Sequence, residues 1–237
     1  MKKSQKAAFY LLSALYAFMP LLSAVLLIFG YTAYLFSYSF FSVFLALVSV
    51  AAVISIIRNK HGCANKNISI ISAFLPILAT VNWIIYLFKS QDIRNEAVVV
   101  AVCMPICLIC AVIITSKLCK PSGLKIAGII LPLLAVIPLL FFSFLTLLPI
   151  GKNAVINTVS SPNGAFHAEI VDSDQGALGG NTLVYVQKNS GFDAFFFSIK
   201  KRRERVYLGD WGEYENMQIY WKDENTLIIN SKEYIIA

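Results

Sequence analysis

From Ala7 to Ile57 the chain reads AAFYLLSALYAFMPLLSAVLLIFGYTAYLFSYSFFSVFLALVSVAAVISII, without a single Asp, Glu, Lys, Arg or His. As one helix it would measure roughly 75 Å at about 1.5 Å per residue, more than twice a bilayer hydrocarbon core of about 30 Å. It must therefore double back, and Gly30 and Tyr31 are the best place for the reversal. Span 1 is expected at about 7–29 and span 2 at about 32–57.

The rest of the first 150 residues continues in the same way. Three more apolar runs are expected to cross, at about 68–88, 97–115 and 126–150. They are separated by the polar stretches RNKHGCANKN (58–67), KSQDIRNE (89–96) and SKLCKPSGLK (116–125). Composition agrees: 58% of the residues are apolar and 14% charged, against roughly 45 to 50% and 25% in a soluble domain. Lys2, Lys3 and Lys6 before an apolar run resemble a signal peptide. That run is too long for a cleaved h-region and no A-x-A site follows, so a retained first helix is expected.

Basic residues set the expected orientation, because short loops rich in Lys and Arg stay cytoplasmic. The N-terminus carries Lys2, Lys3 and Lys6; the second loop carries Arg58, Lys60 and Lys66; the fourth carries Lys117, Lys120 and Lys125. The intervening segments are uncharged at Gly30 or balanced, Lys89 and Arg94 against Asp92 and Glu96. Five crossings then put the N-terminus inside and the tail outside the plasma membrane. Tyr31, Tyr34, Tyr38, Trp83 and Tyr86 fit the outer headgroup level. The net charge of +7 lies beside the spans, which points to lipid rather than nucleic acid.

After Gly151 the texture becomes short alternating runs between turn residues, the pattern of strands. Seven or eight strands are expected in an all-β antiparallel sandwich or meander over 151–237, distinct from the helical membrane bundle of 1–150. Inward candidates are Phe166, Ala168, Ile170, Val184, Val186, Val206, Leu208, Met217, Ile219, Trp221, Leu227 and Ile229. All five cysteines lie before this tail, so no disulfide can hold it.

Little in the sequence carries chemistry. The spans contain no ionisable side chain apart from cysteine and tyrosine, which argues against proton relays and intramembrane proteolysis. His61 and His167 are the only histidines, and no Walker A sequence is present. Cys103, Cys107 and Cys110 share one helical face, as a soft-metal stripe would; the outer two are about 10 Å apart along the axis, which favours small apolar residues at a helix contact. Pro20, Pro76, Pro105, Pro132 and Pro138 are expected to kink packed spans.

Two stretches of the tail are candidate binding elements. DSDQGALGGN offers Asp172, Asp174 and Asn181 with Gly176, Gly179 and Gly180. It begins like a calcium loop but has Leu183 where the twelfth-position glutamate belongs, so a plain strand connection competes with a binding loop. KKRRER places Lys200, Lys201, Arg202, Arg203 and Arg205 together, suited either to anionic headgroups or wall polymers or to a solvated loop.

SPNGAFHAEI (161–170), DQGALGG (174–180) and IYWKDENTLIIN (219–230) resemble a family of uncharacterised small β domains tethered outside the membrane of Gram-positive bacteria. The first and last also resemble propeller-blade turns, with Asn163 in place of the usual Asp and too few strands for a ring. The resemblance implies a β fold and no assigned activity. The expected function is a bacterial membrane protein displaying a binding or interaction domain, in envelope sensing or as a subunit of an assembly. Its partners would be the bilayer, another membrane protein or an envelope ligand. A transport or export component for a neutral or apolar substrate is the alternative. No cofactor is implied, and no catalytic set converges.

Overall fold

In the computed structural model residues 3–58, 66–90, 94–120, 122–147, 152–176 and 179–236 are described. His61 and Cys63 lie outside them. Five helices, α1 (Lys3–Ile28), α2 (Tyr38–Arg58), α3 (Lys66–Lys89), α4 (Arg94–Leu118) and α5 (Gly123–Leu147), come first. Each is long and apolar enough to cross a membrane. Their outward side chains are apolar too: Leu21, Leu47, Leu134 and Ile137 are all more than half exposed. A helix that is apolar all round has lipid or protein, not water, as its surroundings. Five such helices support a multi-pass membrane protein.

Several polar groups within the bundle close on one another or on backbone carbonyls, as burial away from water favours, while Ser23 Oγ and Asn82 Oδ1 are buried without a hydrogen-bond partner among the described residues. Tyr16 donates to the Cys107 carbonyl at 3.0 Å and lies 2.8 Å from the Ser49 hydroxyl. Asn82 Nδ2 donates to the Tyr16 carbonyl at 2.7 Å, and Trp83 Nε1 to Ser143 at 3.2 Å. Gly128 marks a close approach of α5 to α3, since a Cβ there would stand 2.2 Å from the Ala73 carbonyl oxygen. All five expected prolines lie inside helices.

The second span does not begin at Thr32. Residues Tyr31–Leu35 form a strand, β1, and α2 starts only at Tyr38. Gly30 ends α1 with φ 72, a left-handed conformation that suits glycine. Ser37 starts α2, its hydroxyl accepting the Phe40 N–H at 3.1 Å. YTAYL lies between the two signals, and its Tyr and Thr favour extended backbone.

The chain divides into two compact units. The first comprises 1–25 and 37–148; the second comprises Leu26–Phe36 together with 149–237. Among the described residues the second unit contains nine further strands: β2 (Lys152–Ser160), β3 (Phe166–Asp174), β4 (Gly180–Lys188), β5 (Gly191–Asp193), β6 (Phe197–Lys201), β7 (Glu204–Asp210), β8 (Ile219–Trp221), β9 (Thr226–Ile229) and β10 (Lys232–Ile235). They form three antiparallel sheets with orders β2-β3-β4-β7, β10-β9-β8 and β1-β6-β5.

One core holds the first two sheets, built from Phe166, Ala168, Ile170, Val184, Val186, Leu227 and Ile229. Trp221 closes its rim, stacked at 6.2 Å on Phe166 and donating to the Val159 carbonyl at 3.0 Å. Leu208, an expected core residue, is instead 56% exposed. A bulge between Val184 and Tyr185 shifts the β4–β7 register, so Leu208 pairs with Leu183 on the other face. An extra residue in one strand reverses every later alternation.

Candidate functional site

In the β1-β6-β5 sheet the connection between the first two helices meets the distant tail. β1 and β6 pair over Tyr31↔Lys201, Thr32↔Lys200, Ala33↔Ile199, Tyr34↔Ser198 and Leu35↔Phe197. The contact continues past both ends: Arg202 N–H donates to the Gly30 carbonyl at 3.0 Å, and Phe36 N–H to the Phe196 carbonyl at 3.3 Å. Ala33 and Leu35 are buried.

The basic run is divided among different surroundings. Lys201 sits over the Tyr31 ring, its Nζ 5.0 Å from the centroid. Arg203 lies 4.4 Å over Tyr185 and 3.4 Å from Glu169. Lys200 in β6, Arg202 beyond it and Arg205 in β7 are exposed. The strand thus presents cations at one end, and at the other a turn closed by the Ala194 N–H donating to the Phe197 carbonyl at 2.8 Å. Phe195 in that turn is 96% exposed, and Phe192 on β5 is 62% exposed.

The Asp/Gly stretch is a β3–β4 hairpin, with Asp172↔Thr182, Ser173↔Asn181 and Asp174↔Gly180 paired. Asp174 accepts the Gly176 N–H at 2.7 Å, and Gly176 and Gly179 adopt positive φ to make the turn. Gly180 has a packing role, because a Cβ there would stand 2.6 Å from Trp211 and 2.7 Å from the Ser173 carbonyl oxygen. Asp172 points the same way as Ile170 at the end of the core face, and one of its carboxylate oxygens is buried without a hydrogen-bond partner among the described residues. Its charge pushes the neighbouring Tyr214 phenol up. Beside it, Glu213 accepts from Tyr207, from the Asp210 N–H at 3.1 Å and from Asn230 at 2.8 Å. Among the described residues no group of three or more His, Cys, Asp or Glu side chains is placed to hold a metal ion.

Cys107 and Cys110 are buried and Cys103 is half-buried. They lie on the α4 face that carries the Tyr16 contact, as small residues in helix packing do. Sequence reasoning passed over β1 and the aromatic turn. The signals were Gly30 and Ser37 bracketing YTAYL, and the triplet Phe195–Phe197 beside a basic run. No family model, curated relative or solved structure matches this chain.

Proposed function

We propose that this is a bacterial plasma-membrane protein whose helices display the β unit outside the cytoplasm as a binding or interaction module, with the N-terminus inside. The observation that carries it is the β1–β6 pairing. Four helices, α2 to α5, lie between these strands in the chain, and an even number of crossings returns the tail to the side where β1 emerged. The three all-basic segments 2–6, 58–66 and 117–125 favour the opposite side as cytoplasmic. The exposed cations Lys200, Arg202 and Arg205 suit an anionic envelope ligand or a second membrane protein.

The test uses a chain without native cysteines, to which single cysteines are added. Cys119 is buried, so the inner reporter is the exposed neighbour: in intact cells Lys120→Cys should resist a membrane-impermeant thiol reagent while Asn189→Cys reacts. Labelling at 120 but not 189 would invert the reading. Binding is checked by capture of wall or envelope fractions on the full chain, expected to fall when Lys200, Arg202 and Arg205 become Ser. Unchanged capture together with a solute flux in vesicles would favour a transport component instead.

A further inference from the structure

We propose that the β5–β6 hairpin tip, with Phe192 and Phe195, dips into the interfacial layer of the same bilayer that the helices cross, making the β unit a membrane-resting rather than a freely projecting domain. This rests on the helices crossing a bilayer and not on which side the β unit faces.

α2 has 21 residues, so at about 1.5 Å each it is roughly 31 Å long and only just spans a hydrocarbon core of about 30 Å. Its first residue, Tyr38, must therefore stand near the hydrocarbon boundary. Phe36 is two residues away, at most about 7 Å along the chain. It donates its N–H to the carbonyl of Phe196, the residue next to Phe195. The hairpin tip is tied by a backbone hydrogen bond to the water–lipid boundary.

The side chains fit that level. Phe29 after α1, Phe36 before α2, and Phe192 and Phe195 on the hairpin are all more than half exposed. The β1-β6-β5 pairing brings these rings to one small sheet and its flanks, and apolar surface gathered there suits a membrane contact. At the far end of β6, Lys201 and Arg202 flank Gly30 just past the end of α1. Aromatic rings that insert and cations that meet phosphates are the composition of an interfacial anchor.

The test places a single cysteine, Phe195→Cys or Phe192→Cys, in the full chain without native cysteines, labels it with an environment-sensitive fluorophore and reconstitutes it in zwitterionic vesicles. The label should be blue-shifted, quenched by lipids with a nitroxide near the headgroup, and shielded from aqueous iodide. A label at Asn225→Cys, in the turn between β8 and β9, should behave as in water, and one at Leu134→Cys on α5 should be quenched from the acyl chains. Iodide-accessible labels at both 192 and 195, with the Leu134 label still quenched, would overturn the proposal while leaving the spans intact; loss of quenching at 134 would remove the spans themselves. Shielding that depends on protein concentration but not on lipid nitroxide would assign the tip to contact between copies and would also overturn it. Adding anionic lipid should deepen the quenching at 195, an effect that Lys200→Ser with Arg202→Ser removes.

Discussion

A disulfide across β1 and β6 is the most direct test of the strand pairing. Tyr34 and Ser198 are directly opposed. Opposed residues in an antiparallel pair have Cα atoms about 4.5 to 5.5 Å apart, inside the roughly 4.4 to 6.8 Å that a disulfide accepts. The diagonal pair Tyr34 and Lys200 is offset by two residues, about 7 to 8 Å apart, and falls outside that range. In a chain without native cysteines, Tyr34→Cys with Ser198→Cys should cross-link nearly completely under mild oxidation, and Tyr34→Cys with Lys200→Cys hardly at all. With a protease site inserted at 59–65, the two fragments should stay joined on a non-reducing gel only in the first variant. Leu35→Ala provides the energetic control: the side chain is only 5% exposed, and truncating such a residue costs about 2 to 5 kcal/mol. That lowers docking of β1 roughly thirtyfold or more, so cross-linking should slow visibly. Equal cross-linking of the opposed and diagonal pairs, or none of either, would refute the register.

Three further expectations follow from the β unit. Trp221→Ala should cost about 3 to 5 kcal/mol, and Trp221→Phe less, since the stack on Phe166 survives while the bond to the Val159 carbonyl is lost; chemical denaturation followed by near-ultraviolet circular dichroism reads the difference. The hydrogen bond to Glu213 raises the Tyr207 phenol above its ordinary value of about 10, so this contribution to stability is complete below that pH and is lost as pH rises through the folded-state value; Tyr207→Phe should flatten the alkaline arm of a melting curve, and an unchanged arm would count against it. Chelation should leave the melting temperature unchanged and calcium should not raise it; a calcium-dependent rise abolished by Asp172→Ala with Asp174→Ala would turn the β3–β4 hairpin into a metal site.

The helices were legible because they rest on a one-dimensional quantity, apolar length, which five runs satisfy and which tertiary context rarely overrides in lipid. The alternation of β3 was legible for a similar reason, with Phe166, Ala168 and Ile170 all buried. Leu208 was not, because the bulge that turns it outward depends on a pairing with β4 that no local pattern encodes. β1 was hidden differently: YTAYL is as uncharged as the helices beside it, and a short apolar run does not distinguish strand from helix. Its partner lies more than 160 residues away in sequence, beyond the reach of any periodicity. The division of KKRRER was likewise invisible, since Lys201 finds Tyr31, and Arg203 finds Tyr185, only once the strands are assembled.

That separation has a consequence for how the molecule is made. β1 is synthesised before α2 to α5, while β5 and β6 come after them. Until then β1 presents unpaired N–H and C=O groups, the hazard of any open edge. Contacts so distant in sequence form late, because the intervening loop must be closed first. Here the loop includes four membrane crossings, and an odd number would leave β1 and β6 on opposite sides of the bilayer. Completion of the β1-β6-β5 sheet is therefore predicted to report an even number of crossings among α2 to α5. A chain ending at Lys188 lacks β5 to β10 but keeps the five long helices; a full-length chain with Ile199→Pro, which breaks β6 alone, is its control. In either, a protease added on the β1 side should cut within Tyr31–Leu35, whereas the unaltered chain in the same vesicles should resist. Resistance in the truncated chain would mean that β1 is protected by something other than β6, and the pairing would lose its role in sealing the fold.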